Sequence, residues 1–150
     1  MAEKSISPEV RAFLERMRVP CVISTLRPDG APITSATWFG FIEEDVVVST
    51  PAQRNKAKNV RNDPRVSFIV DTKEPPVQGV AIEGRAEVID DDDDAVLGAI
   101  VRRYLEPALA DEMLERLKEA RGTRVILRIK AERVRPWAIP ALPPARADGA

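Results

Sequence analysis

The 150-residue chain contains no histidine, and this absence removes several kinds of chemistry at once. Without an imidazole there is no Ser-His-Asp or Cys-His nucleophile pair, no histidine acid or base, and no histidine-ligated metal site. Redox chemistry on a bound cofactor is compatible with this composition, because the cofactor itself carries that reaction.

Cysteine and long apolar runs are also scarce. The single cysteine, Cys21, has no partner for an internal disulfide, and its place in an apolar run indicates a small buried residue in a reducing compartment. The N-terminal segment lacks the apolar core of a signal peptide, and no run approaches the ~20 apolar residues of a membrane span. We therefore expect a cytoplasmic protein that does not contact a membrane.

The overall charge is close to zero as well. The 23 basic and 24 acidic residues leave a net charge of −1, which gives no general attraction for nucleic acid or an anionic membrane. Any charge-driven binding therefore has to be local. Nucleic acid is not an expected partner, because the one basic stretch of the chain has no interleaved aromatic residues.

That basic stretch, residues 54–65, concentrates positive charge against a single carboxylate, Asp63. Its five cations are Arg54, Lys56, Lys58, Arg61 and Arg65. The pattern predicts a helix over residues 53–62, and the hydroxyls of Ser49 and Thr50 come shortly before it. Hydroxyls, cations and backbone N–H groups at a helix start are the donors that an anion such as phosphate needs.

The same residues have structural interpretations that the sequence leaves open. Arg54, Lys56 and Lys58 are compatible with a solvated helix surface, and Ser49 and Thr50 are compatible with a helix cap. Capping and phosphate binding do not exclude each other. At 100° per residue Lys56 points away from the face that carries Arg54 and Lys58, so a ligand that touches all of them has to lie at the helix start.

Other charged residues fit structural roles better than ligand contacts. We expect Arg61 and Arg65 to form ion pairs with Asp63 and Asp71. The five aspartates at 90–94 precede a helical pattern, and carboxylates at a helix N-terminus offset the helix dipole. We interpret them as a helix start and not as a metal site.

Alternation of apolar and polar residues predicts six β-strands, at residues 21–26, 31–42, 46–48, 65–71, 80–88 and 124–132. Helical spacing predicts four helices, from residue 8 to near Pro20, at 53–62, at about 96–105 and at 111–120. Hairpin-length connections exclude a doubly wound parallel sheet. The order therefore indicates one mainly β (α+β) domain over residues 1–150, an antiparallel barrel with flanking helices and an extended Pro-rich tail at 136–150.

Several motifs in this order carry a family resemblance. They are the Arg-x-Lys-x-Lys-Asn-x-Arg-x-Asp-Pro-Arg spacing of residues 54–65, the turn at 25–30 with the Trp-Phe pair at 38–39, and the Glu-Gly-Arg-Ala segment at 83–86. Over most of its length the chain resembles the flavin-binding split barrel of the pyridoxamine 5'-phosphate oxidase-like proteins. In particular it resembles the branch that uses the deazaflavin coenzyme F420.

The resemblance implies a six-stranded antiparallel split β-barrel that forms a homodimer, with a cofactor in each of two clefts between the subunits and a small-molecule substrate. In such relatives the residues at the cofactor's phosphate end match Ser49, Thr50, Arg54 and Lys56, with Lys58 and Asn59 close by. The strand along the ring matches Ser35, Ala36 and Thr37, with Trp38 near it and Gln78 as a ring or tail contact. Trp38 is equally compatible with the barrel core, and Gly79 stands where relatives often carry an aromatic residue.

The implied activity is hydride transfer between F420 and a conjugated organic substrate. F420 is favoured over FMN because its phosphodiester and glutamate tail present several negative charges to the basic stretch. An FMN-dependent oxidoreductase of the pyridoxamine phosphate oxidase type stays open, as does a non-catalytic protein that binds a flavin, a deazaflavin or a tetrapyrrole. No side chain stands out as a proton donor or acceptor.

Overall fold

The computed structural model describes residues 3–120 and 122–143. Seven strands lie within these residues: β1 Cys21–Leu26, β2 Pro32–Thr37, β3 Gly40–Ile42, β4 Asp45–Pro51, β5 Arg65–Asp71, β6 Gly79–Asp90 and β7 Arg124–Trp137. The α-helices are α1 Pro8–Arg16, α2 Asn55–Asn62, α3 Ala95–Tyr104 and α4 Pro107–Glu119. None of the described helices is long and apolar enough to cross a membrane.

All strands belong to one sheet in the order β2-β1-β5-β6-β7-β4-β3, and every neighbouring pair is antiparallel. The long strands β6 and β7 pair along their length at its centre. The expected antiparallel β architecture with flanking helices is confirmed.

The strand expected at 31–42 is two strands, which raises the count from six to seven. β2 pairs with β1, whereas β3 pairs with β4 at the opposite end of the strand order. Between them Phe39 is fully buried and packs edge-on against Phe68 and Phe41, at ring distances of 5.4 and 5.9 Å. Burial of this ring draws the chain inward and separates the two strands.

Strand β4 is buried on both faces, which explains its run of consecutive valines. Val46 and Val48 pack in the main core inside the sheet, and Val47 packs outside it with Ile100 of α3 and Ile126 of β7. By the same alternation Ser49 lies on the α3 side and Thr50 on the core side, so the two hydroxyls point in opposite directions.

The helix boundaries differ from expectation at several ends. α1 ends at Arg16 and not near Pro20, α2 begins at Asn55, and α4 begins at Pro107, where a proline suits the first helical turn. The N-cap residue of α2, Arg54, makes no side-chain cap hydrogen bond. Ser49 and Thr50 lie within β4, so the interpretation of these two residues as helix caps is wrong.

The acidic run does start a helix, as expected. Both carboxylate oxygens of Asp91 accept hydrogen bonds from the first turn of α3, at 2.8 Å from the backbone N of Val96 and 2.9 Å from that of Leu97. These are two of the N–H groups that a helix leaves without internal partners.

The end of β7 explains an unusual glycine. A Cβ at Gly79 would clash with the ring of Trp137, its partner across the β6–β7 pair. The indole thus occupies the space beside Gly79. Pro136 and Trp137, expected in the tail, lie in β7, and residues 144–150 of that tail are outside the described residues. The single-domain assignment with an extended tail stays a prediction.

Candidate functional site

Strand β2 borders two adjoining depressions on the surface. We call the first the basic groove; it measures about 180 Å³ and is lined by Ile33, Thr34, Ser35, Arg54, Asn55 and Lys56. We call the second the apolar pocket; it measures about 340 Å³ and lies between β2, α3 and α4. Its lining is Pro20, Ala36, Thr37, Trp38, Ser49, Leu97, Ile100, Val101, Met113, Leu117 and Arg124. Successive residues of β2 connect the two.

Lys56 extends from the first turn of α2 to β2. Its Nζ donates a hydrogen bond to the Ser35 hydroxyl at 3.1 Å, and the side chain is partly buried. This burial, together with the positive charges of Arg54 and Arg124, lowers the pKa of Lys56 below its ordinary value. The charged amine is therefore held where neighbouring cations repel it.

Arg124, at the first position of β7, is a site residue that the sequence did not reveal. Its guanidinium donates from Nε to the Ser49 hydroxyl at 3.1 Å and from Nη2 to the Ser49 carbonyl at 3.3 Å. Burial, and then the charge of Arg54, lower the pKa of Arg124. From the sequence, Arg124 is only a residue on the polar face of the last strand. Its contact with Ser49 has no local signal, because the two residues are 75 positions apart and meet only through the β4–β7 pairing.

Arg54, Lys56 and Arg124 share a further property. Among the described residues none of these three cations has a carboxylate within 4.0 Å, although Arg65, Arg128 and Lys130 all do. Asp91 and Asp94 act on Arg124 only at longer range. The site therefore holds an excess of positive charge beside an apolar wall, which suits a ligand with an anionic end and an apolar body.

Trp38 lies at the wall of the apolar pocket. Its indole is partly buried and stacks on the Tyr104 ring at 4.7 Å with an angle of 7° between the planes. The Tyr104 hydroxyl donates to the Val19 carbonyl at 2.9 Å and accepts from the backbone N–H of Phe39 at 3.3 Å. Tyr104 thus holds Trp38 in place, a role with no local signal in the sequence.

Four other predicted site residues, Asn59, Thr50, Lys58 and Gln78, line neither depression. Asn59 is buried and donates from its amide to the Thr25 hydroxyl at 3.0 Å, and Thr50 is buried at the end of β4. Lys58 is exposed and lines neither depression. Gln78 lies away from both, where its side-chain oxygen accepts from Arg16 at 3.4 Å.

Of the two arginines expected to form ion pairs near the end of α2, one does so. Arg65 pairs with Asp63 at 2.7 Å, which confirms that expectation. Arg61 instead donates to the Ala52 carbonyl at 3.1 Å, and Asp71 pairs with Lys73 at 2.8 Å, so the pairing of Arg61 is wrong. The reason is geometric, because Arg61 reaches back across α2 to the loop before it.

Comparison with known proteins identifies the family of the chain. Residues 6–138 match the profile of the family described as Pyridoxamine 5'-phosphate oxidase. The chain belongs to this family. No curated protein matches the chain.

Solved structures of this kind share the fold over most of the chain. A conserved hypothetical protein, Rv2991, from Mycobacterium tuberculosis is 28% identical with a TM-score of 0.72, covering 93% of this chain and 92% of that one. An F420 reductase is 27% identical with a TM-score of 0.61, covering 85% and 93%. A heme binding protein from Mycobacterium smegmatis, 20% identical with a TM-score of 0.66, covers 90% and 55% and shows the fold alone. The expected split barrel is confirmed.

Proteins of this family bind flavin-type cofactors, FMN or F420, or heme, and many but not all are oxidoreductases. The donor set of the basic groove fits the anionic end of a flavin-type cofactor. The usual heme ligands fit less well, because histidine is absent and Cys21 is buried, with its pKa raised to about 12 by that burial. Of the described residues that line the pocket, only Met113, through its thioether, remains as a ligand for heme iron.

Proposed function

We propose that this protein is an F420-dependent oxidoreductase that transfers a hydride between the deazaflavin and a conjugated organic substrate. The observation that carries the proposal is a group of three cations, Arg54, Lys56 and Arg124, that have no carboxylate partner among the described residues and lie beside an apolar pocket. The similarity to an F420 reductase supports it. When bound, the coenzyme supplies the hydride chemistry.

The basic groove would hold the anionic end of the coenzyme. Arg54 and Lys56 would donate to phosphate oxygens, with the Ser35 hydroxyl as a neutral donor, and an anion would relieve the repulsion that now lowers the pKa of Lys56. The phosphodiester and glutamates of F420 offer more negative charge to this site than a single phosphate does. The small volume of the groove, about 180 Å³, also suits one compact phosphate and keeps FMN as the second candidate.

The ring end would lie along β2. It would follow the backbone of Ser35, Ala36 and Thr37 across the mouth of the apolar pocket, and the interior, walled by the stacked pair of Trp38 and Tyr104, would stay open to the substrate. The protein's part would be to orient the reacting groups and to exclude water. We assign no proton transfer to a side chain.

We also propose that the protein acts as a cytoplasmic homodimer with the cofactor between the subunits. Strand β2 pairs only with β1 among the described strands, so its other edge is open beside the site. Gln78 lies on Arg16 in its own chain and would reach a cofactor only from the other subunit. The unpaired Cys21 fits a reducing compartment.

Titration of the purified, cofactor-free protein tests the proposal. Oxidised F420, reduced F420, FMN and hemin are added in turn while visible absorption is recorded. We expect F420 to bind at micromolar concentration and more tightly than FMN. Absence of F420 binding at that level contradicts the proposal, and tight FMN binding instead supports the second candidate.

A turnover assay separates an enzyme from a binding protein. Bound reduced F420 is mixed with conjugated acceptors such as quinones, and its oxidation is followed. Oxidation faster than in free solution is the expected result. Binding without any oxidation favours a non-catalytic protein that stores the coenzyme.

A further inference from the structure

We propose that the apolar pocket is the substrate site, and that its ligand is a small apolar molecule with a single carboxylate that pairs with Arg124. The identification as a substrate rests on the proposed function. The binding of an apolar carboxylate at this pocket does not, and it is tested separately below.

The walls of the pocket indicate that most of the ligand is apolar. Leu97 and Ile100 of α3, Met113 and Leu117 of α4, and the Trp38 indole contribute almost entirely carbon and sulfur surface. The volume of about 340 Å³ lies at the small end of the range for ligand pockets. It suits a ligand of about the size of a bicyclic aromatic acid.

Arg124 indicates that the ligand carries a negatively charged group. Among the described residues that line the pocket it is the only cation, and none of them is a carboxylate. Two of its nitrogens donate to Ser49, while Nη1 donates to none of the described residues. A half-buried guanidinium with unused N–H groups beside an apolar wall prefers a carboxylate, which gives it charge and two acceptors together.

The surroundings favour one negative charge over several. Asp91 and Asp94 lie at the N-terminal end of α3 and act on Arg124 at a distance. They lower the positive potential at Arg124, whereas no carboxylate among the described residues lines the basic groove. We therefore expect a polyanion to bind at Arg54 and Lys56, and a monocarboxylate to bind at Arg124.

Calorimetric titration of the cofactor-free full-length protein tests this assignment, with 2-naphthoate and its neutral methyl ester as probes. We expect one naphthoate to bind per chain, at least tenfold more tightly than the ester. The Arg124→Met variant is expected to bind acid and ester equally, because the charge that distinguishes them is gone. Leu97→Trp is expected to weaken both probes by filling the pocket.

Arg102→Met is the matched control, since Arg102 is an exposed residue of α3 that pairs with Asp111 on the surface. It is expected to keep the preference for the acid. Circular dichroism and thermal unfolding of each variant show that it is folded. Equal binding of acid and ester by the unsubstituted protein, no binding at millimolar probe, or a preserved preference in Arg124→Met would each overturn the assignment.

A competition experiment separates a substrate carboxylate from a carboxylate of the coenzyme itself. We expect naphthoate to bind with unchanged affinity when F420 or FMN is saturating. Its displacement would overturn the assignment, because the pocket would then belong to the cofactor. If neither cofactor binds while naphthoate shows its dependence on Arg124, the proposed function fails and the carboxylate site stands.

Discussion

Lys56 is the residue whose environment argues most directly for a ligand. In the free protein its amine is partly buried near two other cations, and both effects lower its pKa. A residue kept for stability would be expected to have a carboxylate partner, yet its hydrogen bond goes to the neutral Ser35 hydroxyl. Functional residues are often held in such unfavourable surroundings, at a cost in stability.

We predict that Lys56→Met weakens cofactor binding and stabilises the cofactor-free protein. The loss of one hydrogen bond to a charged group corresponds to about 1.5–3 kcal/mol, which is tenfold or more in the dissociation constant. Absorption titration and urea unfolding measure the two effects. Lys73→Met, an exposed residue paired with Asp71, is the control and is expected to change neither. A destabilised Lys56→Met with unchanged affinity would mean that Lys56 is structural.

The pH dependence of binding gives a second test of Lys56. The pKa of Lys56 in the folded protein lies below the ordinary value of 10.5. Lys56 is therefore positively charged at pH values below its lowered pKa, and it loses this charge as the pH rises through that pKa. Above about pH 7, where phosphate groups are ionised, we expect the affinity for FMN or F420 to fall before pH 10.5. Lys56→Met should lack this fall. A flat profile up to that pH contradicts the assignment.

Two glycines show how the same substitution has opposite effects in different places. Gly84 lies at a bulge between β6 and β7, where a Cβ would clash with the Lys130 carbonyl, whereas Gly98 of α3 has open space. We predict that Gly84→Ala destabilises the protein by about 1–3 kcal/mol. Gly98→Ala should stabilise it by about 0.5–1 kcal/mol through helix propensity. Urea unfolding measures both, and similar changes in the two variants would contradict the bulge geometry.

At the scale of elements, α3 connects the core to the site. Its first turn is held by Asp91, its inner face lines the apolar pocket, and Tyr104 at its end holds Trp38. Arg103 donates to the carbonyls of Leu14, Glu15, Met17 and Phe39. The helix thus ties together α1, the β2–β3 connection and the pocket wall.

The capping of α3 by Asp91 can be tested by comparing its substitution with that of a neighbouring aspartate. We predict that Asp91→Ala lowers the free energy of unfolding by about 0.5–2 kcal/mol, because two N–H groups lose their acceptor. Asp92→Ala removes the same charge from an exposed residue and is expected to change it by less than about 0.5 kcal/mol. Urea unfolding at one salt concentration compares them. Equal losses would mean that the acidic run acts through general charge and not through Asp91.

At the scale of the whole molecule, the site lies at an open edge of the sheet. β2 carries residues of both depressions and is paired on one side only among the described strands. A cofactor bound there in a single chain would keep part of its ring in water. A second copy over this edge would exclude that water, which agrees with the homodimer that we propose.

We predict that light scattering gives a mass about twice the 16.6 kDa of one chain. Because a ligand held between subunits binds only the assembled form, the cofactor should raise the unfolding temperature and shift dissociation to lower protein concentration. Lys56→Met is expected to dimerise without this cofactor effect. A mass of one chain at all concentrations, with or without cofactor, contradicts the proposal.

Much of the fold was predictable because alternation and helical spacing report which face of an element is buried. The strands around Cys21, Phe68 and Ile82 were found this way, and so was the start of α3 at the acidic run. The division of β2 from β3 was not, since it depends on the burial of Phe39 among rings from other strands. The sequence indicated that Arg54 and Lys56 lie together at the start of α2, and their contact with a cofactor stays a prediction.

The sequence by itself determined the family, the antiparallel strands, the exclusion of histidine-based chemistry, and the cations that precede and begin α2. Only the tertiary structure decided which of those residues meet. Pairing of β4 with β7 brings Arg124 to Ser49, and packing of α3 on the sheet brings Tyr104 to Trp38. These contacts join segments 66 to 75 residues apart, and such pairings depend on how the whole chain packs and not on any local pattern.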